Sequence, residues 1–241
     1  MKTQIIFEDK DTLVVRKPAG IAVESARPGQ QDVVSELKNY LVAKTGERNP
    51  YLGVIHRIDQ PVEGLLLFAK NRMAADYFSG KLQKGDLNKE YQAVVWGVMP
   101  QKEGTLINYL VKENAMARIT DSPKERNAGK ALLHYRVLKE CEVERDADSV
   151  SSGGTGDKKT FVSLLQIVIE TGRFHQIRAQ LAFAGHPILG DLKYGTEETI
   201  EFSHSHGIKH VALCAAKLVV PFQSGEKAYT VEPQNTAFRI C

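Results

Sequence analysis

Little in this sequence could staple or anchor the chain. Its three cysteines, Cys141, Cys214 and Cys241, are odd in number and scattered. No disulfide framework and no paired Cys-x-x-Cys site is therefore expected, and a reducing, cytoplasmic setting follows. No stretch approaches the roughly 20 apolar residues of a membrane span. At the N-terminus Ile5, Ile6 and Phe7 run straight into Glu8 and Asp9, too short and too acidic for a signal peptide. Neither sign of charge dominates: 32 Lys and Arg face 29 Asp and Glu, for a net charge of +3. A polyanionic partner would have to be met by a local basic face, not by a global field. What is present is ordinary for a soluble globular protein, 241 residues with 42% hydrophobic and 25% charged, enough to bury a full core.

Taken in order, Gln4–Phe7 and Leu13–Arg16 read as two short strands, ended by Lys17-Pro18-Ala19-Gly20. Asp32 is placed to cap a helix with Val33, Val34, Leu37, Tyr40, Leu41 and Ala43 on its apolar face, closed by Gly46. Gly64–Ala69 reads as a buried strand. Asn71 caps a helix over 72–83 with Met73, Ala74, Tyr77, Phe78 and Leu82 on one side. Further strands are expected over 89–98 and near 105–110, 130–139, 160–170, 209–220 and 228–231. The Gly/Ser-rich segment 141–159 reads as a mobile hairpin loop. Many strands and few helices, without regular alternation, predict an α+β fold with a largely antiparallel sheet.

Two stretches carry chemistry. In His56-Arg57-Ile58-Asp59, residues two apart share a face of an extended segment, so Arg57 can keep Asp59 ionised, fit to act as nucleophile or base. In Thr171–Pro187, residues 174–184 are helical in pattern, with Phe174, Ile177, Arg178, Leu181 and Ala182 on one face. A guanidinium on an apolar face needs an anion, and Asp59 is a candidate. His204, His206, His210 and Cys214 have ligand-like intervals, but His210 and Cys214 fall in a predicted strand, so no metal is expected.

His56-Arg57-Ile58-Asp59 followed by Gly64-Leu65-Leu66-Leu67-Phe68-Ala69-Lys70 resembles the signature of the RluA-type RNA pseudouridine synthases. Gly172-Arg173-Phe174-His175-Gln176-Ile177-Arg178, with Gly190-Asp191 and Tyr194-Gly195 behind it, resembles their third motif. Lys89-Glu90-Tyr91-Gln92-Ala93-Val94-Val95-Trp96-Gly97 and Val14-Val15-Arg16-Lys17-Pro18-Ala19-Gly20 are similar to the intermediate and leading elements. The four stand in the family's order over nearly the whole chain. The resemblance implies a single catalytic domain over 1–241, without the S4-type RNA-binding domain of many relatives. It also implies cofactor-free and metal-free isomerisation of uridine in ribosomal or transfer RNA, by a cytoplasmic monomer with no obligatory protein partner.

The same resemblance assigns the nucleophile to Asp59, the base platform to Tyr91, the partner of Asp59 to Arg178 and the filler of the gap left by a flipped base to Arg57. His56, Arg173 and Ile177 are implied on the substrate side. A basic rim of Arg16, Lys17, Lys70, Arg72, Arg173 and Lys193 is expected to meet RNA. Where the family commonly has Thr-Ser after the Asp, this chain has Pro61-Val62-Glu63. A second carboxylate aimed at Asp59 would oppose its ionisation, so Glu63 is expected to point outward or to organise a basic neighbour. A catalytically silent RNA-binding module of the same fold is the alternative, and a carboxylate-based nucleosidase using Glu63 the third reading.

Overall fold

The computed structural model describes residues 1–25, 27, 29–144 and 159–241. The chain forms two compact units. The first comprises Met1–Tyr91 and Cys214–Pro233, the second Gln92–Leu213 and Gln234–Cys241.

In the first unit β1 (Gln4–Glu8) and β2 (Thr12–Lys17) form an antiparallel hairpin. Asp9 fixes its turn by accepting from the N–H groups of Asp11 and Thr12. β2 pairs antiparallel with β4 (Glu63–Ala69), whose other edge runs parallel to β10 (Leu213–Phe222), and β10 turns back into β11 (Gly225–Thr230). The short β3 (Gly53–Val54) pairs with the far end of β4. Every residue of β2 and β4 is buried, which is why Leu65-Leu66-Leu67-Phe68-Ala69 is apolar throughout and does not alternate. Gly64 is dictated by this pairing. Its φ is +126°, and a Cβ there would stand 2.5 Å from the backbone N and O of Ala215.

Two helices belong to this unit. α1 (Val33–Thr45) is capped by Asp32, whose carboxylate accepts from Ser35 N–H at 2.7 Å, and closed by Gly46 in the left-handed region. Its buried side includes Glu36 beside Val33, Leu37 and Leu41, because the Glu36 carboxylate accepts from the N–H groups of Lys2 and Thr3. α2 (Arg72–Lys84) is capped by Asn71 and closed by Gly85. Ala74 and Phe78 pack with Val14, Leu65, Leu67, Leu218 and Val220. Met73, expected on that face, is 76% exposed.

β5 (Asn88–Trp96) carries the chain from the first unit into the second. There β6 (Glu103–Glu113), β7 (Met116–Thr120), β8 (Gly129–Val143) and β9 (Thr160–Ile169) form an antiparallel array in the order β9-β8-β6-β7. Asn114 and Ala115, both at positive φ, make the two-residue turn between β6 and β7. α3 (Gln176–Phe183) and α4 (Glu197–Ser205) complete the unit. β7 and α4 were not anticipated. β7, Met116 to Thr120, is a short strand whose signal lies in its turn, and the α4 segment is polar apart from Ile200 and Phe202.

Three expectations need correction. Cys141 on β8 and the last residue, Cys241, are disulfide-bonded across a separation of 100 residues, and only Cys214 is free. Spacing along the chain carries no information about that meeting. β8 runs to Val143, so Cys141–Val143 belong to a strand; residues 145–158 of the expected hairpin loop lie outside the described residues. β10 begins at Leu213, which leaves His210 outside the strand that was to contain it. Among the described residues no helix is long and apolar enough to cross a membrane. Among the described residues, the mixed, largely antiparallel sheet with four α-helices is the α+β class read from the sequence.

Gly64→Ala is expected to cost about 3 kcal/mol or more, adding left-handed strain to a backbone clash. Urea unfolding of the variant should show a correspondingly lower midpoint; an unchanged midpoint would mean that β4 and β10 part easily at this point.

Candidate active site

The stretch holding Asp59 is not a strand. Residues 55–59 lie between β3 and β4 without regular structure, and Val62 N–H closes a turn on the Asp59 carbonyl at 3.0 Å. The segment is held at both ends. At the first, Leu67 of β4 accepts from Ile55 N–H at 3.2 Å and donates its own N–H to Nε2 of His56, also at 3.2 Å. A ring nitrogen that accepts belongs to a neutral imidazole with its proton on Nδ1. Burial pushes His56, 7% exposed, down to about 3, and the charge of Lys89 adds to this.

At the second end stands Lys17, fully buried at 0% exposure. Its ammonium donates to the carbonyls of Ile21 at 2.8 Å, Pro18 at 3.0 Å and Gln60 at 3.0 Å, three acceptors for three protons. The Gln60 carbonyl also accepts from Gly20 N–H, and the Gln60 side chain returns a bond to the Gly20 carbonyl. The peptide next to Asp59 is thereby tied to the Lys17–Ile21 loop. Burial pushes the Lys17 ammonium down to about 7, against the carboxylates of Asp59 and Glu63, which favour its charge. Lys17 is an internal tie, where a place on a basic rim was expected.

Tyr91 is buried on β5. Burial, with the Asp59 charge adding, pushes its phenol well above its ordinary value, so it stays a neutral ring. Asp59, Tyr91, Lys17 and His56 are thus gathered in the first unit. Glu63 does not point outward. At 3% exposure it pairs with Arg16, whose Nη2 lies 3.0 Å from the carboxylate and also donates to the Glu232 carbonyl at 2.9 Å. The basic neighbour it was expected to organise is Arg16. Val62 is core. Arg57, expected beside Asp59, is exposed and ion-paired with Glu24.

In the second unit Arg178 is 2% exposed on α3 and forms a two-point pair with Asp191, Nε to Oδ2 at 2.7 Å and Nη2 to Oδ1 at 2.8 Å. The same carboxylate accepts from the N–H groups of Lys193 and Tyr194, and the guanidinium lies over the Tyr194 ring. An Arg on an apolar face did signal a buried anion, and Asp191 is one that sequence reasoning overlooked although it stands in the same motif. His175, at φ 51°, places its Nδ1 2.9 Å from the Tyr194 hydroxyl. Ile177 is buried, and Arg173 donates to the Lys130 carbonyl at 3.0 Å from an exposed position. Among the described residues no group of three or more His, Cys, Asp or Glu could hold a metal ion.

Two expectations follow. Because folding holds His56 neutral, the unfolded chain binds more protons between pH 6.5 and about 3, so this group's contribution to stability is lost as pH falls through that window. Ring nitrogen NMR shifts should keep His56 neutral at pH 5; a midpoint near 6.5 would contradict the buried acceptor. Arg178→Met alone should cost about 3–5 kcal/mol by stranding Asp191. Paired with Asp191→Leu the loss should be less than the sum of the single losses, and strict additivity in a denaturation cycle would deny the coupling.

Residues 11–183 match the family model described as RNA pseudouridylate synthase. The chain is 33% identical over 195 residues to the uncharacterized RNA pseudouridine synthase YhcT of Bacillus subtilis (strain 168), covering 79% of this chain and 57% of that one. It is 33% identical over 201 residues to the dual-specificity RNA pseudouridine synthase RluA of Vibrio parahaemolyticus serotype O3:K6 (strain RIMD 2210633), covering 83% and 72%. The chain thus spans less than two thirds of the Bacillus protein's length. In fold it matches the human RNA pseudouridylate synthase domain containing 4, with a TM-score of 0.75 at 20% identity over 98% of this chain and 92% of that one. With the match spanning every element that places Asp59, Tyr91 and Arg178, the chain belongs to the RNA pseudouridylate synthase family, of the RluA type.

Proposed function

We propose that this protein isomerises uridine to pseudouridine in ribosomal or transfer RNA, with Asp59 as the nucleophile. The observation that carries the reading is that Asp59, beside a turn tied down by Lys17, lies close enough to the buried, neutral Tyr91 of β5 for its charge to act on that ring. The reaction breaks the bond from the anomeric carbon to N1 of uracil and forms one to C5, with the C5 proton passing to N1, so nothing is gained or lost overall. An ionised Asp59 oxygen would add to the anomeric carbon or to the uracil ring. The target base must leave the stack. Tyr91 would stack on it, Arg57 would fill the vacated space, and His56, Arg173 and Ile177 would border the substrate. Arg178 would serve as the partner of Asp59 in addition to its bond with Asp191. On this reading the enzyme works in the cytoplasm as a monomer, without cofactor or metal.

Glu63 motivated the reading as a silent RNA-binding module. Its pairing with Arg16 gives the second carboxylate a partner of its own and so supports the active reading over the silent one. The test uses transcribed ribosomal and transfer RNA lacking modification. Wild type should form pseudouridine, and Asp59→Asn should lose at least about a thousandfold in rate. Binding without conversion would establish the silent module, and release of free uracil a nucleosidase.

A further inference from the structure

Lys89 stands two residues before Tyr91 on β5, so in extended backbone the two side chains leave the strand on the same face. Other cations of the first unit are matched: Lys217 pairs with Glu90, Arg16 with Glu63, and Lys17 with three carbonyls. Lys89 itself is half-buried, and its ammonium has neither an ion pair nor a hydrogen bond among the described residues. Burial lowers its pKa, and no carboxylate offsets that effect. The nearby His56 supplies no acceptor either. Its Nε2 is taken by Leu67, and its buried Nδ1, which then carries the proton, is a second donor without a partner. Two donors with nothing to accept from them leave the ammonium unsatisfied, a costly arrangement in the absence of an anion.

We propose that Lys89 takes a phosphate oxygen of the RNA strand at the Asp59–Tyr91 site. The inference rests on the RNA reading above and deepens it by naming the group that the strand's backbone meets. A compact ammonium on a flexible stem suits a single phosphate oxygen. Sharing a face of β5 with Tyr91 places it where a nucleotide stacked on that ring would carry its backbone.

The test measures both binding, by fluorescence anisotropy, and pseudouridine formation on a uridine-containing RNA stem-loop, for wild type, Lys89→Met and Lys89→Arg. Lys89→Met should weaken binding about tenfold, worth 1.4 kcal/mol on the logarithmic scale, and flatten the slope of log affinity against log salt by about 0.7. Its cost should fall on KM and not on kcat, Lys89→Arg should restore most of the binding, and the melting temperature should not fall. Unchanged affinity and slope would overturn the proposal. So would a loss confined to kcat, or a drop in melting temperature without a change in binding. The binding readout does not require turnover. Wild type that binds but forms no pseudouridine would refute the activity and leave the salt slope to judge Lys89, whereas wild type that binds no RNA would overturn both.

Discussion

The site depends on one buried ammonium. Lys17 ends β2 and would be among the worst residues to bury, since an unpaired charge in an apolar interior is prohibitively costly. It is tolerated because three carbonyls converge on it, from Pro18, Ile21 and Gln60. Each is freed from a ladder by a loop that Pro18, Gly20 and Pro61 impose. The bond to Gln60 ties the loop after β2 to the turn after Asp59, so the position of the carboxylate is set by the satisfaction of a charge elsewhere. The carboxylates of Asp59 and Glu63 in turn favour the charge on Lys17 against its burial.

The second tie works by the opposite logic. His56 is fixed by being uncharged: its Nε2 accepts from Leu67, and burial keeps it neutral. A cationic tie on one side of Asp59 and a neutral one on the other hold this segment without regular structure. Such a segment can expose a carboxylate that a strand buried on both faces, as β4 is, would have enclosed. In the second unit, Asp191 answers Arg178 and caps the turn into Tyr194, so its carboxylate serves both the helix and the loop that follows it.

Legibility followed the range of the forces involved. Capping and closure are local, and the Asp32 and Asn71 caps with the Gly46 closure stood where the sequence placed them. Burial on both faces of β4 was visible in its unbroken apolar run. The exposed Met73 and the buried Glu36 were not, because a helix face is decided by what packs against it, here the N-terminal backbone of Lys2 and Thr3. Asp59 and Tyr91 stand out in the sequence because each belongs to a separate family-like element. Lys17 was read as a surface cation, since nothing in its local pattern says that three carbonyls will converge on it.

The sequence by itself determined the family, the α+β class, β2, β4 and the two capped helices of the first unit, and the need of Arg178 for an anion. Only the tertiary structure decided which groups answer which. Glu63 went to Arg16, Arg57 to Glu24, Arg178 to Asp191, and Cys141 to Cys241. The reason is that propensity, capping and hydrophobic period act over a few residues of chain. Charges and thiols choose partners by distance in space, and distance is fixed only once the strands have paired.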